Sequence, residues 1–282
     1  MKRLRLAVIA LALILTPELW AQSARPAPAP EVPDIQTVKI IIVCGDCDQP
    51  FDTSTHDNVL DGLVSNTYIG ELRKALYLQD TYHQFESKAH FDNCDFDEAI
   101  AYIDSLLAEV NQQVIAAKSA KDQSDTQQLD VSVKKAFFAL GQALHGVQDF
   151  YAHSNYVELS VGQVKKSTDI PVVRPWTPTG KDLVKELLGK GLISGYVFWG
   201  LPQKCASESI SHADLAKDKA TTKSGTVKVQ HLQNQNQYQI AVQLAKAASQ
   251  KLIDDAFKRW PILKEVNGKN VAFEILLDRR GL

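Results

Sequence analysis

The sequence predicts a mainly α-helical single domain with a few short peripheral strands, and three observations carry that expectation. Residues 95–119, DFDEAIAYIDSLLAEVNQQVIAAKS, and a second run from Asp130 to about His153 repeat apolar positions at three- and four-residue steps. A third helical run covers about 234–259. Strand-like runs are short and lie toward the two ends, TVKIIIVC at 37–44 and NVAFEILLD in the tail, which could pair with each other. No internal repeat and no clean linker divides the chain, so the helices should pack as one unit.

The elements follow in chain order. Met1-Lys2-Arg3-Leu4-Arg5, the apolar run Leu6–Leu15 and the small residues of TPELWAQSA read as a secretory signal peptide over 1–21, cut after Ala21 or Ala24. The apolar run is too short to span a bilayer comfortably, although a single-pass anchor is the competing reading. Residues 22–36 are a Pro/Ala-rich lead-in, and 37–282 are the helical domain. Thr55 is the expected N-cap of a helix running through HDNVLDGLVSNTYIGELRKALYL, with Asp57 in its first turn. KDQSDTQQ (121–128) reads as a polar loop, and 160–230, with Pro171, Pro175, Pro178 and Pro202, as irregular apart from a short helix near 181–190.

Export determines how the cysteines are read. Cys44, Cys47, Cys94 and Cys205 are an even set for an oxidising compartment, so two disulfides are the default, with three pairings open. Cys44 and Cys47 can close a small loop on each other, which leaves Cys94 with Cys205. A redox pair or half a zinc knuckle is the alternative for the VCGDC stretch. The composition, 45% hydrophobic and 23% charged, suits an ordinary globular core. A formal charge of −2 gives no global pull toward nucleic acid or an anionic membrane. Lys134-Lys135, Lys165-Lys166 and Lys217-Lys219 read as solvated faces, and Trp176, Trp199 and Trp260 as core.

Chemistry concentrates in ALHGVQDFYAHSNYVE, residues 143–158. His145, Asp149 and His153 follow one another at four-residue steps, and on a helix such a series drifts only about 40° per step. An imidazole and a carboxylate one turn apart are two pre-organised ligands for a metal such as zinc. A solvated helix face is the competing reading, but Lys and Glu are absent from 136–157, and Phe150, Tyr151 and Tyr156 crowd the motif. His90 and Asp92 in AHFDNCDFDE, with His56 further upstream, could complete a ligand set from separate elements. Tyr151, Asn155 and Tyr156 could line a cleft, with core packing the better reading of the two tyrosines.

The string LHxxQDFYxHSNxVE, with HFDNCDF upstream and SGYVFWGLPQKC downstream, resembles the fungal heterokaryon-incompatibility HET-C family and its bacterial relatives, over about 56–255. That family is distantly similar to the zinc-dependent phospholipases C and to fungal single-strand nucleases of the same helical fold, so the resemblance implies that fold here. It implies that His145 and Asp149 are the helical HxxxD ligand pair, His90 the HF histidine and His56 the early TH histidine. Asp80, ten residues ahead of His90, is a looser match to the carboxylate preceding that segment. The phospholipases' next histidine would fall at Asn155; His153 is the nearest here, two residues early. Where they have HxxxE, this chain has His231 and Gln235, leaving Glu158, His212 and His231 as substitutes. The matched ligands imply one zinc, with a second and third supported by successively fewer residues.

The resemblance implies a phospholipase C-type phosphodiester hydrolase acting on phospholipid or another phosphodiester, with possible peripheral membrane contact. Asp149 would bridge metals, and Asp80 or Asp92 would act as general base or as support behind the ligands. The alternative is a non-catalytic HET-C-like protein that binds lipid or a partner, with a structural metal or none. A nuclease would want a basic, aromatic cleft, which the acidic balance does not favour.

Overall fold

The computed structural model describes residues 53–60, 66–197, 204–205 and 210–267, and these are mainly helical. The organising element is α5 (Thr126–His153), preceded by α1 (Thr53–Leu60), α2 (Asn66–Tyr82), α3 (Ser87–His90) and α4 (Phe96–Asp122). It is followed by α6 (Tyr156–Val161), a 3₁₀ turn (Ser167–Asp169), α7 (Pro178–Gly189) and α8 (His212–Leu215), then α9 (Gln237–Arg259) and α10 (Pro261–Asn267). One small antiparallel ribbon, β1 (Lys228–Val229) and β2 (Gln235–Asn236), pairs Lys228 with Asn236 and Val229 with Gln235. No helix among the described residues is long and apolar enough to cross a membrane. The expected leader, the lead-in, the strand at 37–44 with Cys44 and Cys47, and the tail strand lie outside the described residues.

Helix α5 is the core of the assembly, with α2, α4 and α9 packed around it. Its N-terminus is fixed by Asp125, whose side chain accepts a 2.9 Å hydrogen bond from the Gln128 amide. That cap starts the helix at Thr126, inside the stretch read from the sequence as loop. Every residue from Ala143 through His153 is buried, which only a helix wrapped on all sides can achieve. Its surroundings are apolar: Leu72 and Leu76 from α2, Ile103, Leu107 and Val110 from α4, and Leu244, Leu252 and Ile253 from α9. Long α4 keeps Asp97 and Glu98 in its first turn and Lys121 in its last, as the helix dipole favours. At the start of α9, Asn236 and Gln239 form a reciprocal capping box.

Two local expectations are corrected. Thr55 is not an N-cap: it lies inside α1, and its hydroxyl shares a 3.0 Å hydrogen bond with that of Tyr238 on α9. Within the helical run read from Thr55 onward, the described residues form α1 and α2, and 61–65 lie outside the described residues. The second correction is Lys217, expected on a solvated face but fully buried.

Helices α2 and α5 approach closely where α5 carries Gly141. A Cβ placed there would lie 2.7 Å from the Ala75 Cβ and 2.9 Å from the Leu72 carbonyl oxygen. Alanine in a helix interior gains about 1 kcal/mol over glycine, but overpacking against backbone costs about 1–3 kcal/mol. We therefore expect Gly141→Ala to lower the thermal midpoint, measured by circular dichroism. An unchanged or raised midpoint would show that the two helices do not meet there.

Candidate metal centre

Burial of His145 and Asp149 on α5 forces the question of what satisfies them, because an unpaired interior carboxylate costs several kcal/mol. One oxygen of Asp149, Oδ2, lies 2.8 Å from His145 Nε2 and 2.9 Å from His90 Nδ1. The other, Oδ1, faces His56 Nε2 at 3.3 Å and His153 Nε2 at 3.9 Å. Asp80, near the end of α2, brings its Oδ1 to 3.4 Å from His145 Nε2. Thus α1, α2, α3 and α5 deliver His56, Asp80, His90, His145 and Asp149 to one locus.

A second locus adjoins it at the C-terminal end of α5. His153 Nε2 is 3.2 Å from Asp218 Oδ1, and His153 Nδ1 is 3.6 Å from Asp92 Oδ1. His212, on α8, spans the same two carboxylates, with Nδ1 2.9 Å from Asp92 and Nε2 3.3 Å from Asp218. Asp149 Oδ1 points between the loci, so its carboxylate joins them. The side chains of His90, Asp80, Asp92 and His212 keep a few per cent of their surface exposed, whereas those of His145, Asp149 and His153 have none. Solvent therefore reaches the centre from the side of Asp80, His90, Asp92 and His212.

Hydrogen bonds to the far ring nitrogens set the histidine tautomers. His56 Nδ1 donates to Gln148 Oε1 at 2.5 Å, and Gln148 Nε2 donates in turn to Ser249 on α9. His90 Nε2 faces the His83 carbonyl at 3.2 Å, and His153 Nδ1 the His90 carbonyl at 2.8 Å. Each acceptor receives a hydrogen bond from the outer nitrogen and turns the inner one toward the carboxylates, where it can offer a lone pair once it is deprotonated. That is the orientation ligating imidazoles require.

The loop carrying His90 and Asp92 is held by force. Phe91, Asn93 and Cys94 all adopt left-handed φ near 57°, 57° and 56°, a conformation that side chains disfavour. The backbone amide of Asn93 donates to Gly195 O at 2.8 Å, and its side-chain oxygen accepts from the Val197 amide at 2.7 Å. Cys94 is bonded to Cys205, the pairing the sequence left open as one of three. These ties fix Asp92 opposite His212.

Donor chemistry and satisfaction both fit a metal ion. Three groups of histidine and carboxylate converge with ligand atoms within 4.8 Å of one another: His56, Asp80 and His145; His90, His145 and Asp149; and Asp92, His153 and His212. Both oxygens of Asp80, Asp149 Oδ1 and Asp218 Oδ1 are buried and receive no hydrogen bond. Buried carboxylate oxygens in that condition call for a cation. These residues could therefore hold a metal ion.

The charges follow from the same geometry. Burial pushes Asp80 up to about 7, against the fields of His56 and His90. Burial would also raise Asp149, but His145 and His153 outweigh it and hold its carboxyl well below the usual range. For Asp218 too, His153 and His212 overcome burial and keep it at about 2. Burial alone would lower His153, yet Asp149, Asp92 and Asp218 lift it to about 9. His145 falls to about 3 through burial, with His56 and His90 adding to the fall.

The sequence-derived residues His56, Asp80, His90, Asp92, His145, Asp149 and His153 all meet here. Of the three substitute ligands, His212 joins the second locus, and the other two do not. Glu158 instead pairs with Lys217 at 2.9 Å, and His231 is exposed with its ring against the Val161 carbonyl. Tyr151 and Tyr156 are core, bonded to the Val173 and Pro171 carbonyls, and Asn155 bonds Gly191 O and Ile193 N. Trp260 is buried as expected, its indole nitrogen donating to Asn111, while Trp199 lies outside the described residues. Sequence reasoning missed Asp218 and Gln148. Gln148 stood beside Asp149 in the quoted motif, whereas Asp218, in HADLAKDK, follows no ligand spacing.

The metal-free and metal-loaded proteins should respond oppositely to pH. His153 is raised above its unfolded value, so its contribution is complete below about 6.5 and is lost as pH climbs through about 9. Asp149 and Asp218 are depressed, so theirs is present above about 4 and is lost only as acid takes pH through their folded values. Metal competes with the protons on these imidazoles, so its affinity rises with pH. The difference in melting temperature between zinc-loaded and chelated protein is expected to widen from about pH 5.5 to about pH 8. A difference that narrows over that range would contradict histidine ligation.

Residues 68–173 are similar to a family model described as the VWA7 N-terminal domain. The matched segment includes Asp80, His90, Asp92, His145, Asp149 and His153, and stops short of His56 on one side and His212 and Asp218 on the other. No curated protein and no solved structure matches the chain.

Proposed function

We propose that this chain is an exported, HET-C-like, zinc-dependent phosphodiester hydrolase of the phospholipase C class, acting on phospholipid or another phosphodiester. The observation that carries the reading is Asp149: one fully buried carboxylate turned by its two oxygens toward imidazoles of two adjoining loci. His56, His90, His145 and Asp80 would hold one ion and His153, His212 and Asp218 a second, with Asp149 shared. Mixed nitrogen and oxygen donors suit zinc. Divalent ions at such a site supply Lewis acidity, acidifying water and offsetting phosphate charge.

The protein's own groups then divide the work. Asp149, held well below the usual carboxylate range, stays charged and anchors rather than exchanging protons. Asp80 is the group suited to proton transfer: its carboxylate oxygens make no hydrogen bond, and Oδ1 lies 3.4 Å from His145 Nε2. Asp92 orients His212 through a 2.9 Å contact and so supports the ligands from behind. The Cys94–Cys205 disulfide is compatible with the exported location.

A second reading, a HET-C-like lipid- or partner-binding protein with a structural metal, draws support from the complete burial of His56, His145 and Asp149. Chelation separates the two. For the hydrolase, chelation should abolish turnover of phosphatidylcholine vesicles or bis(p-nitrophenyl) phosphate, and zinc should restore it. Asp80→Asn should then reduce kcat by about 10²–10⁴-fold with the fold retained. Zinc-loaded protein that hydrolyses neither substrate, yet loses its fold on chelation, would overturn the hydrolase reading in favour of the structural one.

A further inference from the structure

Lys217 is the one lysine among the described residues with no exposed surface. Its ammonium donates to the Ser154 carbonyl at 2.9 Å and the Leu215 carbonyl at 3.0 Å, and pairs with Glu158 Oε1 at 2.9 Å. Its backbone amide donates to the Ala152 carbonyl at 2.9 Å. Ser154 caps the C-terminus of α5, so the cation sits where that helix presents its partial negative charge. Lys217 thus bonds to the chain on both sides of His153 from a position adjoining Asp218. Glu158 is itself steadied by Ser224, which donates to it at 2.9 Å.

We infer that Lys217 is a positioning residue for the second metal locus, fastening the 215–218 segment to the end of α5 so that Asp218 meets His153 and His212. Asp218 lies in no regular element, and its nearest α-helix, α8, ends at Leu215. Without the ammonium, that segment keeps as its ties to the end of α5 the backbone bond to Ala152 and the contact of Asp218 with His153 itself. The first locus is built from α1, α2, α3 and α5 upstream of His153 and does not depend on this tie.

The inference rests on the two-locus reading, and the test keeps the two apart. The mature chain is titrated with cobalt(II) against a competing chelator, and uptake is followed by visible absorption. Wild type should take up two ions. Lys217→Met should keep the first at unchanged affinity and weaken the second by about 10–100-fold, the usual loss when support behind a ligand is removed. Asp218→Asn, which alters a ligand directly, serves as the reference for a damaged second locus. Should Lys217→Met not fold, Lys217→Gln, too short to make the same three contacts, is read in the same way. Wild type that takes up a single ion overturns the two-locus reading itself. Two ions in wild type, with the ratio of affinities unchanged in the variant and only its melting temperature lowered, overturn the role of Lys217 alone.

Discussion

The carboxylate of Asp149 is fully buried inside the helical core, and much of the surrounding architecture answers to that placement. An ionised group there, with no partner, would cost several kcal/mol, a large fraction of a domain's net stability. The chain compensates with imidazoles from three helices, His56, His90 and His145, and with His153 one turn further along α5. Imidazoles close to one another repel when protonated, and burial already holds His145 neutral at about 3. A cluster so arranged is better completed by one compact divalent charge than by several protons. Asp80, its two oxygens without hydrogen bonds, makes the same demand from the rim.

The scaffold turns this demand into a fixed geometry by supporting His56, His90 and His153 from behind. Gln148 and Ser249 orient His56 through a chain that reaches α9, and backbone carbonyls orient His90 and His153. Gly141 lets α2 close on α5, and α2 also carries Asp80. The disfavoured backbone conformations at Phe91, Asn93 and Cys94 would relax without the bonds from Asn93 and the disulfide to Cys205. Strain held this firmly beside a polar cluster marks a site whose exact placement matters more than local stability.

The His145 and Asp149 pair of the first locus was legible because its grammar is local, whereas His56 and His90 come from separate elements and Asp80 was matched only through the family resemblance. A helical HxxxD pair shows itself through a four-residue period, and the lack of Lys and Glu around it signals burial. The mainly helical architecture followed from the same kind of regularity, in the apolar stripes of α4, α5 and α9. The second locus was only half visible. His153 belonged to the periodic series, but Asp218 comes from an irregular segment, and only long-range folding brings it to His153. Lys217 misled for the same reason: a lysine in a charged, irregular stretch reads as solvated until the chain supplies two carbonyls and a carboxylate. Thr55 failed as a cap because its hydroxyl is taken by Tyr238, more than a hundred residues away. Cap signals are local preferences, and tertiary contacts override them.

The most direct test of a shared carboxylate between two ions is anomalous diffraction from crystals of the protein grown with zinc, collected at the zinc edge. The account predicts two anomalous peaks flanking Asp149, one among His56, His90 and His145 and the other among His153, His212 and Asp218. Crystals grown with excess zinc that show no peak beside Asp149 would contradict it, since the carboxylate would then be balanced by protonated imidazoles alone.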